Sequence, residues 1–419
     1  MRELLLELHD EFLENLQGPE IFDRKLVIPS LPRKIKTLIG MRRTGKTHAI
    51  LQLAKSWINN GIAPTRILYL NFEDDRLFPT SLKNLQEIIE TFYVLYPENY
   101  EQKCYLIFDE VQVVEDWFRV MRRLVDTKFV DIYLTGSSAK LLSTEISTTL
   151  RGRSIAIEIW PLGFYEYLRF KKYHYTPSQR IVGKQKANIK KQLEIYLQRG
   201  GFPETINAAF IDHQRILQDY VSVVIMRDII ERHHISNLKL MRYFIITLLK
   251  NVGSQLSINK LYNDCKSQGI PVGKDTLYEY LGYVEDAYLA FAVPLYSQSI
   301  RKTETNPKKI YAVDVGLANA YSLMPNANHG HLFENLIYLD LRRAGCDVYY
   351  YLTADRYEVD FLVKTPAGKL KLFQVAWNVD NPETLTREKR ALAQAEKELG
   401  VKGVLITPDN YIQSELLCS

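Results

Sequence analysis

Short apolar runs alternate with longer segments of helical periodicity in the first half of the chain. The runs that predict strands are 36–39, 66–72, 105–109, 131–135 and 154–159. Apolar residues recur at helical spacing in segments 1–20, 47–60, 80–96, 116–127 and 138–145. This alternation is typical of an α/β fold with a parallel sheet covered on both faces, in which ligands bind beyond the carboxyl ends of the strands.

A G-x-x-x-x-G-K-T sequence joins the strand at 36–39 to the helix at 47–60. Its glycines let the backbone curl until successive N–H groups point at phosphates, and the helix N-terminus adds partial positive charge. Lys46 would reach the β- and γ-phosphates of ATP, and Thr47 would bind Mg²⁺. A glycine turn that binds nothing is disfavoured, because all four fixed positions occur in the right context. The predicted nucleotide-binding residues are Gly40, Arg43, Thr44, Gly45, Lys46, Thr47 and His48.

Four apolar residues lead into Asp109 and Glu110 at the end of the third predicted strand. This is the Walker B pattern, in which Asp109 would hold Mg²⁺ beside Thr47. Glu110 is placed to polarise the water that attacks the γ-phosphate, which separates hydrolysing ATPases from most simple phosphate-transfer kinases. The alternative is a strand that merely ends in acids.

Polar side chains also follow two other predicted strands. A hydroxyl of Thr135 or Ser137, after the fourth strand, would lie between the two Walker strands if the sheet has the order usual for this class. There it would sense the γ-phosphate or position the water, and a Gly-Ser helix cap is the alternative. Asn71 ends the second strand, where it could hold Glu110 inactive until a partner binds.

Two arginines flank Gly152 just before the fifth predicted strand. An arginine at this position would reach a γ-phosphate in cis, or in a neighbouring subunit, and neutralise charge that develops there. Arg151 and Arg153 are therefore candidates for transition-state stabilisation, and the alternative is that both are solvated. A role in trans would require a homo-oligomer.

These motifs occur together as a set at 40–47, 69–74, 107–111, 134–138, 150–153 and 160–168. The set resembles the prokaryotic AAA-type ATPases of the archaeal-ATPase group, and the resemblance covers nearly the whole chain. It implies ATP binding and hydrolysis, with a helical lid beside the nucleotide at 166–238. Many members carry a C-terminal domain of unknown function, and the resemblance implies no particular biological process.

The pattern changes after residue 239. Helical segments at 240–251, after Ser257 and after Gly273 precede two β-like stretches, which predicts a winged helix over 239–320. Its third helix would present Lys274, Asp275, Thr276 and Tyr278 to a DNA major groove. Winged helices also serve as protein-packing modules, so double-stranded DNA and a protein partner both stay open. Basic residues in this segment are modest in number, and the cluster is Lys274, Arg301, Lys302, Lys308 and Lys309.

The last predicted domain, 321–419, resembles the core of the restriction-endonuclease-like fold, and 1–165 forms the predicted ATPase domain with its N-terminal helix. The nuclease-like fold places an acid on its first helix, an Asp on a strand and Glu-x-Lys on the next. Glu334 and Asp360 take the first two positions, but Gln374 replaces the glutamate and no lysine follows. Two carboxylates can hold one metal ion. The missing lysine, for which Lys364, Lys369 or Lys371 could substitute, favours a degenerate domain used for binding or packing.

Composition narrows the picture only slightly. The 419 residues are 46% hydrophobic with a formal net charge of +5, which permits a nucleic-acid partner without demanding one. Four scattered cysteines argue against a disulfide framework or a zinc site and favour a reducing cytoplasm. The acids within the first apolar run predict an amphipathic helix rather than a signal peptide, and no apolar stretch is long enough to span a bilayer.

The motifs leave three functions open. Hydrolysis of Mg²⁺·ATP would move or remodel DNA or a protein partner, which is the favoured hypothesis. A slow nucleotide-gated switch would bind a partner through its terminal domains. An ATP-gated, metal-dependent nuclease would require Glu334 and Asp360.

Overall fold

The computed structural model divides into two compact units, Met1–Ile159 and Trp160–Ser419. The residues that it describes are 1–18, 22–24, 26–29, 31–136, 150, 152–173, 175, 181–322, 329–378 and 382–413. The first unit contains, in chain order, α1 (Arg2–Gln17), β1 (Ile35–Ile39), α2 (Lys46–Asn59), β2 (Ile67–Asn71), α3 (Leu82–Leu95), β3 (Cys104–Asp109), α4 (Trp117–Thr127), β4 (Val130–Thr135) and β5 (Ser154–Glu158). The predicted helix at 138–145 lies outside the described residues.

A five-stranded sheet forms the centre of the described part of this unit, in the order β2-β3-β4-β1-β5. All its strand pairs are parallel, with Thr37 opposite Leu134 and Asn71 opposite Asp109. The strands start and end within two residues of their predicted limits, and the predicted α/β fold with a parallel sheet is confirmed. The prediction that the fourth strand lies between the two Walker strands is confirmed as well.

Helices cover both faces of the sheet because β1 to β4 carry buried apolar residues in both alternations. On one face α1 and α2 build a core with the sheet that contains Phe12, Leu38, Ile50 and Ile107. On the other face α4 contacts β4 and packs against α3. Since all strands run the same way, their carboxyl ends meet at one edge, where the predicted site residues are expected.

The second unit begins with helices α5 (Phe164–Phe170), α6 (Gly183–Arg199) and α7 (Phe210–Val223). The last of these continues as a π-helix over Val224–Ile230 and ends in a short helix over Glu231–His233. The following elements are α8 (Leu238–Lys250), β6 (Gln255–Leu256), α9 (Ile258–Ser267), α10 (Lys274–Asp286), β7 (Ala290–Val293), α11 (Ile300–Thr305), β8 (Lys308–Ala312) and α12 (Val315–Asn319). The C-terminal elements are α13 (His329–Arg343), β9 (Asp347–Leu352), β10 (Glu358–Lys364), β11 (Leu370–Val375), α14 (Pro382–Leu399), β12 (Gly403–Ile406) and α15 (Pro408–Tyr411).

Two sheets organise the described residues of the second unit. Three antiparallel strands follow the order β6-β8-β7 and accompany α8, α9 and α10. Four strands follow the order β12-β11-β10-β9, with β11 and β12 parallel and the other pairs antiparallel. The core residues Val359, Leu362 and Leu372 pack there against Ala391 and Ala395 of α14. The limits proposed for the four predicted domains stay a prediction.

Candidate functional site

The glycine loop between β1 and α2 has a backbone shape that side chains would disturb. Gly40 has a φ of 146°, and a Cβ added there would collide with the carbonyl oxygen of Ile159. Gly45 lies in the left-handed region with a φ of 90° and caps the N-terminus of α2. Both positions therefore need glycine, which is what a phosphate-binding loop requires.

Lys46 is buried inside the loop, where Nζ donates to the carbonyl oxygens of Gly40 at 3.0 Å and Met41 at 2.9 Å. Thr44 Oγ1 also donates to the Met41 carbonyl, at 3.0 Å, and Arg24 Nη1 donates to the Thr44 carbonyl at 3.0 Å. These bonds hold the curled backbone and keep the ammonium at the loop. The neighbouring Arg43 and His48 are exposed.

Asp109, at the tip of β3, is the acceptor on which three hydroxyl groups converge. Thr47 Oγ1 donates to Oδ2 at 2.9 Å, and the Tyr69 hydroxyl donates to the same oxygen at 3.2 Å. Thr135 Oγ1, at the tip of β4, donates to Oδ1. The carboxylate and the Thr47 hydroxyl are hard oxygen donors of the kind that Mg²⁺ prefers, so the pair fits this cation.

Glu110 has a left-handed backbone, with φ 52° and ψ 41°, directly after β3. Its backbone N–H donates to Thr135 Oγ1 at 3.2 Å, and Gln112 Nε2 donates to its Oε2. Burial raises the pKa of Glu110, and the charge of Lys46 partly offsets that effect. The carboxylate of Glu110 is thus held by a side chain from its own turn, close to the residues of the loop.

Other predicted site residues lie in different surroundings. Asn71 is opposite Asp109 in the sheet, but its Oδ1 accepts a hydrogen bond from the backbone N–H of Glu73 at 3.0 Å. Arg153 precedes β5 at the end opposite the strand tips, roughly 15 Å away for a five-residue strand, and its Nε donates to Asp126 at 3.0 Å. This position does not support the predicted role of Arg153 in cis. Ser137 and Arg151 lie outside the described residues.

A second cluster of charged side chains joins β8 to the four-stranded sheet. Lys309 Nζ lies 2.7 Å from Glu334 Oε1, 2.7 Å from Glu358 Oε1 and 3.0 Å from Asp360 Oδ1, and the lysine is only 2% exposed. Burial opposes the charge of Lys309, but the three carboxylates raise its pKa well above the ordinary value. Burial raises the pKa of Glu334 to about 7.

Other groups of the protein form hydrogen bonds with the residues of this cluster. Gln374 Oε1 accepts from the backbone N–H of Asp360 at 3.2 Å, and its Nε2 donates to Glu388 Oε2 at 2.5 Å. The Tyr311 hydroxyl donates to Glu334 Oε1 at 2.6 Å. Glu334, Asp360 and Gln374 therefore come together as predicted, but an ammonium group lies between the two acids.

Two expectations about lysines need correction. The lysine beside Glu334 and Asp360 is Lys309, whereas Lys364 and Lys369 are exposed and Lys371 is half-buried. Lys309 does not contribute to the predicted basic surface, because its side chain is buried among carboxylates. A strand pattern that places Lys309 next to buried apolar residues gives no hint of the partners that neutralise it.

The sequence analysis did not predict several of the residues that contact the predicted site residues, among them Tyr69, Gln112 and Lys309. The two-residue period of β2 places Tyr69 on the same face as Asn71, so a signal for this residue was present. Gln112 and Lys309 gave no such signal, since a turn fixes the first and contacts between distant segments fix the second.

The sheet order, the glycine loop and the acids at the tip of β3 define a P-loop NTPase fold in the first unit. Residues 32–168 match the AAA domain family. Residues 190–328 and 329–415 match two domains of unknown function, DUF8612 and DUF4143.

The chain belongs to the family of the uncharacterized protein MJ1544 of Methanocaldococcus jannaschii, to which it is 36% identical over 401 residues, or 94% of this chain and 85% of that protein. An uncharacterized protein of Haemophilus influenzae is 30% identical over 382 residues, which cover 91% of each chain. Among solved structures, the Walker-type ATPase PABY2304 of Pyrococcus abyssi aligns with a TM-score of 0.42 and 13% identity, over 75% of this chain and 95% of that one. Within the described residues, no helix combines the length and the apolar character that a membrane crossing needs.

Proposed function

We propose that this protein binds Mg²⁺·ATP at the glycine loop and hydrolyses it. The observation that carries the proposal is the convergence of Thr47, Thr135 and Glu110 around Asp109, beside the buried ammonium of Lys46. Backbone N–H groups of the loop and the N-terminus of α2 would bind the phosphates. The Lys46 ammonium would then donate hydrogen bonds to the β- and γ-phosphate oxygens in place of the carbonyl oxygens of the loop.

Thr47 and Asp109 are the residues that would hold Mg²⁺. The cation, when bound, neutralises phosphate charge during phosphoryl transfer. Glu110 accepts the proton of the attacking water, a role for which its carboxylate must be ionised. Thr135 fixes the backbone of Glu110 and the carboxylate of Asp109 at the same time, and so sets the distance between base and metal ligand.

Steady-state ATP hydrolysis by wild type, Lys46→Ala and Glu110→Gln tests this function. We expect both variants to lose at least about a hundredfold in turnover, because one loses the phosphate contact and the other the base. Lys46→Ala should also lose nucleotide affinity, whereas Glu110→Gln should keep it. A wild-type protein without turnover, or turnover that survives in Glu110→Gln, would contradict hydrolysis at this site.

The contact between Gln112 and Glu110 favours a second function, a switch that hydrolyses ATP slowly until a partner binds. In that case ATP would strongly change the affinity for a partner, whereas the partner would change the rate of ATP hydrolysis only slightly. Measuring both quantities on one preparation separates the switch from a motor.

The second unit is the proposed partner-binding part. Its helices α8 to α10 and the strand order β6-β8-β7 support a winged helix, and Lys274, Asp275 and Tyr278 are exposed at the start of α10. Double-stranded DNA is the proposed partner, with a protein partner as the alternative. For the C-terminal sheet we propose binding or packing rather than nuclease action, because the Lys309 ammonium lies where Glu334 and Asp360 would otherwise share a cation.

A further inference from the structure

Tyr69 is the first residue of the 69–74 segment, and it belongs neither to the glycine loop nor to the Walker B acids. It lies in the middle of β2, and its hydroxyl donates to Asp109 Oδ2 at 3.2 Å. The register of the sheet, with Tyr69 opposite Ile107 and Asn71 opposite Asp109, places the ring on the same face as the carboxylate. The phenol therefore reaches along the neighbouring strand to its tip.

The N-terminal helix α1 holds the ring in place. Phe12 of α1 stacks on the Tyr69 ring with centroids 5.1 Å apart and an angle of 17° between the planes. Phe12 itself is buried in the core shared by α1, α2 and the sheet. A ring clamped in this way offers its hydroxyl in one direction, and that direction is towards Asp109.

The three hydroxyl groups that donate to the Asp109 carboxylate differ in what they can do when a cation binds. Thr47 is the hydroxyl expected to bind Mg²⁺, so its geometry depends on the cation. Thr135 stays committed, because its oxygen donates to Asp109 Oδ1 and accepts from the N–H of Glu110. Tyr69 is the described hydroxyl that donates to Oδ2 without being a proposed ligand of the cation. Its loss would remove a restraint on that oxygen that does not depend on the cation.

We propose that Tyr69 is a positioning residue, held by α1, that keeps the Asp109 carboxylate oriented for Mg²⁺·nucleotide. This inference rests on nucleotide binding as proposed above. It gives the N-terminal helix a role at the ATP site through the ring of Tyr69.

The test is Tyr69→Phe, which removes the hydroxyl and keeps the ring stacked on Phe12. Affinity for a fluorescent ADP analogue is measured by titration with Mg²⁺ and with EDTA. We expect Tyr69→Phe to weaken Mg²⁺-dependent binding about fivefold to tenfold, as for loss of one hydrogen bond to a charged group, and to leave binding in EDTA unchanged. Half-saturation by Mn²⁺, followed by electron paramagnetic resonance, should shift by the same factor.

Tyr105→Phe is the matched control, because Tyr105 loses the same hydroxyl on the adjacent strand, close to the end opposite Asp109. A second variant, Phe12→Leu, keeps the hydroxyl and loosens the ring, and we expect a smaller shift in the same direction. The proposal is overturned if Tyr69→Phe, with an unchanged unfolding temperature, binds Mg²⁺·nucleotide like the control. If the wild type binds Mg²⁺·nucleotide but does not hydrolyse ATP, the proposed hydrolysis is wrong, and the comparison with Tyr69→Phe still tests the role of Tyr69. Wild type without Mg²⁺-dependent binding removes both.

Discussion

Glu110 and Gln112 lie in one turn after β3, and the amide of Gln112 donates to the carboxylate that we assign as the base. A base held by a donor is less free to accept a proton from water, because the hydrogen bond favours its ionised form and fixes its direction. Asn71, the residue expected to restrain Glu110, is bonded to the backbone of Glu73 instead. The side chain placed to restrain Glu110 is therefore Gln112 rather than Asn71.

Gln112→Ala should raise basal ATP turnover about threefold to tenfold, since one hydrogen bond that opposes the active orientation is lost. The rate is measured without any partner, alongside nucleotide affinity, which should stay constant. Gln102→Ala, an exposed glutamine before the same strand, is the control. An unchanged or lower rate in Gln112→Ala would mean that the contact supports Glu110 rather than restrains it.

At the scale of elements, the five strands of the parallel sheet were predictable because each contains a short apolar run. Apolar runs likewise mark β9 to β12, and helical spacing marks α14 between β11 and β12. The two-residue strand β6 was missed, because two residues cannot show a period. The π-helix over Val224–Ile230 was missed too, since its apolar spacing resembles that of the α-helix it continues.

The local sequence pattern did not predict which charged residues on different elements pair with each other. Lys309 belongs to β8, yet its three partners come from α13 and β10, which follow it by more than twenty residues in the chain. A buried lysine is tolerated only when carboxylates compensate it, so the cluster is a strong constraint on how β8 meets the four-stranded sheet. Nothing in the local sequence of β8 announces that constraint.

Lys309→Met tests the constraint directly. Removing the ammonium leaves Glu334, Glu358 and Asp360 facing one another, and we expect the free energy of unfolding to fall by about 3–5 kcal/mol. Lys308→Met, one residue away, removes only a partly exposed ion pair with Glu304 and should cost less than about 1 kcal/mol. Urea unfolding of the full chain gives both values. Equal losses in the two variants would show that the cluster adds no stability of its own.

At the scale of the whole molecule, the net charge of +5 is too small to establish a DNA partner, and Lys309 no longer contributes to a basic surface. Of the clustered basic residues predicted for the winged helix, Lys274, Arg301 and Lys302 are exposed. If they contact phosphates, DNA binding must release counterions and weaken with salt in proportion to the number of contacts. The nucleotide site and these cations belong to different units, so an effect of DNA on turnover would also show that the units communicate.

We therefore expect duplex DNA to raise ATP turnover. We also expect the logarithm of the affinity for DNA to fall linearly with the logarithm of the salt concentration, with a slope that Lys274→Ala reduces by about one. The affinity is measured by fluorescence anisotropy over a series of salt concentrations, with ATP turnover followed in parallel. Lys397→Ala, which removes an exposed lysine on α14, should leave the slope unchanged. Because phosphate contacts cannot be made without counterion release, binding that is flat in salt would exclude DNA as the ligand of this surface. Turnover that DNA leaves unmoved would then favour the nucleotide-gated switch with a protein partner.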